Sequence, residues 1–231
     1  MRAVPESTER EAMPYPDKVR NFLTHVDSYH RAYYEANTFG GPSLHFHRRA
    51  LDTRQPPGNV AHLEYVYATL ASWGMHRMGK GGSKMQPFER FQRSIELLTD
   101  KISTAQTFDF RSMDDASWAV VKSVFQGIDI MASRTSLVGH SKVLHHMMPN
   151  IVPPIDREYT LRQLRGNTNI QNDLDKEWST LQEIVSGFFV PVASDVGFHR
   201  KASEWIAHQE QYPWDTSVMK VVDNLLIGSQ K

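Results

Sequence analysis

The chain reads as an all-α domain, on three observations. Apolar residues recur at three- and four-residue spacing along most of it. Capping residues and prolines stand where those runs begin. No segment alternates apolar and polar residues strongly enough to compete. Its 231 residues allow one large domain or two small ones, with a core that needs no crosslinks.

Residues 1–15 are polar, with Pro5 and Pro14, and are expected to be a loose arm ahead of a helical domain over 16–231, either single or built as two lobes with a cleft between them. Val19, Phe22, Leu23, Val26, Tyr29 and Tyr33 predict a helix from about Asp17 to Asn37, ended by Gly40-Gly41-Pro42. A short helix over Leu44 to Leu51 follows. Asn59 is a good cap for a long one, Val60 to Trp73. After the glycine-rich basic loop His76 to Lys84, Pro87 suits the first turn of a helix from Phe88 to about Ala105. Further helices are expected over Asp114–Gly127, Ile128–Arg134, Ser141–Met148, Asp156–Leu164, Asp173–Phe189, Val196–His208 and Ser217–Ile227.

Composition excludes several function classes. There is no cysteine, so disulfides, thiolate zinc sites, iron–sulfur clusters and a cysteine nucleophile are ruled out. Lysine plus arginine balances aspartate plus glutamate at 26 each, so any basic footprint must be local. The longest apolar run, Ile184 to Ala193, is broken by Ser186, Gly187 and Pro191 and is too short to span a bilayer. The N-terminus lacks an apolar core of the signal-peptide kind. The expectation is a cytoplasmic protein with no membrane association, a monomer.

The segment that carries chemistry is Leu137-Val138-Gly139-His140-Ser141-Lys142, followed by His145-His146 and then Val152-Pro153-Pro154-Ile155-Asp156-Arg157. Gly139 would permit a tight interhelical turn. Ser141 would cap the next helix, whose free amides attract phosphate, and Lys142 would add a positive charge there. Asp156, at a helix start behind two prolines, would be a fixed carboxylate. Beside a bound nucleotide such an anion could stabilise the positive charge that develops on a sugar when an N-glycosidic bond breaks.

This segment resembles the helix-hairpin-helix DNA glycosylases, whose hairpin follows a Leu-Pro-Gly-Val-Gly-x-Lys pattern and is followed by a Val-Asp element. The resemblance covers roughly thirty residues. It implies that Gly139, His140 and Ser141 grip the DNA backbone and that Asp156 assists base departure and water attack. It also implies that Lys142 contacts phosphate or attacks the sugar. The hairpin is one residue shorter than the pattern between its leucine and lysine, and the stretch from Lys142 to Asp156 is about one helical turn shorter. Both departures favour a monofunctional enzyme that hydrolyses the bond of a flipped-out damaged or modified base. A glucosylated hydroxymethylcytosine of phage DNA is one candidate substrate. A non-catalytic DNA-binding module and a helical protein-interaction domain are the alternatives.

Arg157, Lys80 and Lys84 are further candidates for backbone contact, and Trp73, His145 and Tyr159 for lining a base pocket. The loop Gly79-Lys80-Gly81-Gly82-Ser83-Lys84 lacks the residue order of an NTPase phosphate loop. His45 and His47 sit beside Arg48 and Arg49 without further ligands in view, so no metal is expected, and no cofactor. That patch would meet phosphate or solvent. Asp223, among apolar neighbours, would be a buried structural carboxylate paired with an arginine or a helix end.

Overall fold

The computed structural model describes residues 15–36, 40–76, 78–79, 82–133 and 135–231. The arm expected over residues 1–15 lies outside them apart from Tyr15, which already belongs to the first helix.

The described residues form an all-α fold. The helices are α1 (Tyr15–Leu23), α2 (Val26–Ala36), α3 (Gly41–Asp52), α4 (Val60–Ser72), α5 (Phe88–Glu96), α6 (Thr99–Ala105) and α7 (Asp115–Gly127). They continue with α8 (Leu137–Met147), α9 (Arg162–Arg165), α10 (Leu174–Ile184), α11 (Val190–Ser194), α12 (Val196–Ala207) and α13 (Val218–Gly228). Wide π turns over Arg157–Leu161 and Val185–Phe189 lead into α9 and join α10 to α11. Two-residue strands, Met78–Gly79 and Gly82–Ser83, pair antiparallel in the glycine-rich loop.

Caps start many of these helices. Side-chain oxygens of Asn59, Asp114, Asp173, Asp195 and Ser217 each accept a backbone N–H at the start of α4, α7, α10, α12 and α13. The helix expected from Asp17 to Asn37 is two helices. At the break, Thr24 Oγ1 and His25 Nδ1 both bond the Asn21 carbonyl, competing with the backbone ladder. The helix expected from Phe88 to Ala105 also divides, at Leu97 and Leu98. Ile128–Arg134, expected as a helix, is extended where described. There Gln86 N–H bonds the Ile130 carbonyl and Ala132 N–H bonds that of Lys84, so tertiary pairing overrides local preference.

One contiguous apolar core runs through the molecule, including Leu63, Phe91, Phe125, Leu144, Phe188 and Leu225. Two helices are buried almost all round: ten of eleven residues in α8 and nine of eleven in α13. A helix buried on every side is normally apolar on every side. These two carry Ser141, Lys142, His145 and His146, and Lys220, Asp223 and Asn224, and that departure from pattern locates the site.

The seam between α13 and α2 is a backbone-to-backbone approach. A Cβ placed on Gly228 would lie 2.0 Å from the Tyr29 carbonyl oxygen. Because the obstacle is main chain, relief requires the helices to part. Gly228→Ala should cost about 3 kcal/mol, the upper range for overpacking, which urea denaturation would read as an unchanged m-value and a lowered midpoint. Wild-type stability in that variant would mean the seam is loose.

Candidate active site

The site is organised by α8, which begins at Leu137, earlier than expected. Gly139 is inside it, and its amide ladder is continuous through Lys142, so the chain makes no hairpin there. The glycine serves a different purpose. A Cβ on it would fall 2.5 Å from Met131 Sδ, so its absence lets the extended segment lie against the helix. The helix N-terminus is also occupied: the amides of Ser136 and Leu137 both donate to Glu177 Oε2. A carboxylate thus takes the place assigned above to a DNA phosphate.

Gly139, His140 and Ser141 are buried, which corrects their assignment as backbone-gripping residues. His140 Nδ1 bonds the Phe125 carbonyl at 2.8 Å. Ser141 Oγ bonds the Val138 carbonyl and accepts the Ile155 N–H at 3.0 Å. Ser141 therefore pins the proline link next to Asp156 rather than capping a helix.

His145 and His146 are fully buried, and so is His47, expected to face solvent or phosphate. Carbonyls at one end fix the protonation along a chain. His146 Nδ1 donates to the Lys142 carbonyl at 2.7 Å, so its Nε2 accepts from His47 Nδ1 at 2.9 Å. His47 Nε2 then accepts from Thr216 Oγ1 at 3.0 Å. This neutral chain ties α3 and the segment before α13 to the backbone of Lys142. His145 bonds the Val152 carbonyl and does not line the cavity, so it is not a pocket residue.

Asp156 is the N-cap of the π turn. Its Oδ1 accepts the amides of Glu158 at 2.8 Å and Tyr159 at 3.3 Å, while its own N–H donates to Thr160 Oγ1. Oδ2 points the other way and lies 3.9 Å from Lys142 Nζ. One oxygen fixes the carboxylate; the other faces the lysine.

Both residues line a cavity of about 510 Å³, within the usual range for small-molecule sites. Trp73, Trp214, Tyr33 and Tyr159 supply aromatic wall, and Lys220, Asp223 and Lys231 supply further charge. The two buried lysines differ. Lys220 Nζ donates to Asp223 Oδ2 at 2.7 Å and Asn224 Oδ1 at 2.6 Å. Lys142 Nζ has the 3.9 Å ion contact and sits 5.3 Å from the Trp73 ring centroid. Among the described residues, no hydrogen bond occupies it. Burial pulls the Lys142 ammonium below the usual lysine range, against the opposing pull of Asp156 and Asp223, and Lys220 lowers it further. Burial likewise pushes the Asp223 carboxyl up.

The structure thus brings Lys142, Asp156, Trp73 and Tyr159 to one cavity. Arg157 is exposed and bonds Thr135 Oγ1 and the Thr168 carbonyl. Lys84 is exposed on the far side of the glycine-rich loop from Trp73 in sequence, and Lys80 lies outside the described residues. Asp223 pairs with Lys220, not with an arginine or a helix end. Lys220 and Trp214 were not expected at the site. The signal for Lys220 was present: Lys220, Asp223 and Asn224 share one face of an otherwise apolar helix. Among the described residues, no group of three or more histidine, aspartate or glutamate side chains is arranged to hold a metal ion.

Buried neutral histidines make the fold acid-sensitive. Burial lowers His62 and His140 to about 4 and His146 to about 3, and holds His47 and His145 well below 6.5. The unfolded chain binds these protons near pH 6.5 and the folded chain does not, so stability is intact above that pH and lost as pH falls toward the folded values. Urea midpoints should drop steeply between about pH 6.5 and 5, a window in which ordinary carboxylates contribute little. A flat profile there would show that these rings are not neutral and buried. No family model, no curated protein and no solved structure matches the chain, so any functional reading rests on this geometry.

Proposed function

We propose that this chain is a DNA glycosylase that draws a damaged or modified base into the cavity and breaks its N-glycosidic bond. One observation carries the reading: a desolvated lysine, its nitrogen without a hydrogen bond among the described residues, and a capped carboxylate meet 3.9 Å apart at the wall of an aromatic-lined cavity. Supporting it are the cavity's size, its aromatic surface for stacking and its mixed charge, which suit an extruded nucleobase.

The chemistry follows from the two groups. Asp156 Oδ2 stabilises the positive charge that grows on the sugar as the base departs with the bonding electrons. Lys142, its ammonium disfavoured by burial, offers a neutral amine to C1′. One proton passes from the nitrogen to the departed base; the C1′–O4′ bond then breaks, O4′ takes the second proton, and an imine joins lysine to DNA. The sequence favoured hydrolysis without lysine attack; the enclosed position of Lys142 favours the covalent route instead. Since the Glu177 carboxylate already occupies the start of α8, phosphate contact falls to exposed cations near Asp156. These are Arg157, next in the chain, and Lys231, whose ammonium lies 5.4 Å from the Tyr159 ring centroid at the cavity edge.

Duplexes carrying different modified bases, including glucosylated hydroxymethylcytosine, provide the test. Incubation followed by alkali should reveal abasic sites in at least one duplex, and borohydride should trap a protein–DNA adduct. Asp156→Asn should slow base release on the order of 10²-fold, and Lys142→Gln should abolish the adduct. DNA binding without base release on any substrate would leave only a binding module.

A further inference from the structure

We infer that Lys220 and Asp223 read the hydrogen-bonding edge of the flat heterocycle that enters the cavity: the ammonium donates to a ring or carbonyl acceptor, and the carboxylate accepts from an adjacent N–H. That the heterocycle is a nucleobase rests on the glycosylase reading; the edge recognition does not.

Lys220 and Asp223 are each 4 % exposed, yet both line the cavity. An ammonium has three donors. Two of them point to Asp223 Oδ2 and Asn224 Oδ1, which among the described residues leaves the third for a ligand. Among the described residues, the hydrogen bonds to Asp223 engage Oδ2 alone, leaving Oδ1 as the matching acceptor. Donor and acceptor thus stand side by side on one wall.

Their orientation is set from behind. Asn224 Nδ2 donates to Asp215 Oδ1 at 2.7 Å and to the Trp214 carbonyl at 3.1 Å, which forces its Oδ1 toward Lys220. Asp215 Oδ2 is held in turn by His30 Nε2 at 2.7 Å, and the His30 ring stacks on Trp205 with centroids 3.8 Å apart. Four elements fix one ammonium, more support than charge neutralisation needs. A buried polar pair of this kind selects by penalty: a ligand that cannot fill both positions leaves charged groups unsatisfied.

Quenching of tryptophan fluorescence tests this, since Trp73 and Trp214 line the cavity. The probes are 1-methyluracil, which presents an N–H between two carbonyls, and 1,3-dimethyluracil, which lacks that N–H. Wild type should bind the first at least about tenfold more tightly, as expected for a hydrogen bond to a charged group. Asp223→Ala should bring the ratio close to one, and Lys220→Met should weaken the binding of both probes, since both keep the carbonyls, with far-UV circular dichroism unchanged. Equal binding of the two probes by wild type overturns the inference, as does a ratio that survives Asp223→Ala or probe binding that Lys220→Met leaves unchanged; the wild-type ratio decides alone if a variant fails to fold. Probe discrimination without base release from DNA would sink the glycosylase reading only. Base release without probe discrimination would sink this inference only.

Discussion

Lys142 keeps an ammonium out of water in the middle of a buried helix, and much of the surrounding architecture answers to that. A carboxylate 3.9 Å away offers about 4 kcal/mol at an effective dielectric of about 20. Because Asp156 is about one-third exposed, solvent screens part of that gain. The effective cost of burying an ion is several kcal/mol, so the pair alone does not offset it, and burial holds the Lys142 ammonium below the usual lysine range. Trp73 beneath the nitrogen adds a modest cation–π attraction. The histidine chain holds the backbone of Lys142, and Ser141 holds the link that delivers Asp156.

Lys220 is the instructive comparison. It is as deeply buried, but two short hydrogen bonds saturate most of its donors. The same residue type therefore serves two purposes within one cavity, and the difference lies in what surrounds the nitrogen. A lysine held by two acceptors is a fixed donor. One compensated only at a distance remains chemically available.

Helical spacing and caps made the all-α fold legible, because Asn59, Asp114, Asp173 and Ser217 announce local events that tertiary structure did not override. Asp156 was legible as a cap for the same reason. What failed was the turn at Gly139. A glycine in a short pattern reads as conformational freedom, whereas here it is a clearance for Met131, 8 residues earlier in the chain but reached through tertiary packing. No local rule separates those uses. Glu177, which occupies the start of α8, comes from a helix about forty residues downstream, and the histidine chain joins His47 to His146 across 99 residues. Pairings of that range leave no trace in residue spacing. The polar triple in α13 did leave one, as an interruption of an apolar helix.

The close seam at Gly228 also has a mechanical consequence. Tyr33 and Ala36 reach the cavity from α2, and Lys220, Asp223 and Ile227 reach it from α13. With the two backbones in contact at Gly228 and Tyr29, neither helix can slide independently, so this half of the chamber behaves as an anvil. A guest too large for it gains no room by pushing the helices apart. Any accommodation must occur in the opposite half, which is assembled from the end of α4, Lys142 and the proline link to Asp156. That half also carries the two proposed reactive groups, so a poorly fitting guest would disturb their spacing and be rejected by chemistry as well as by shape.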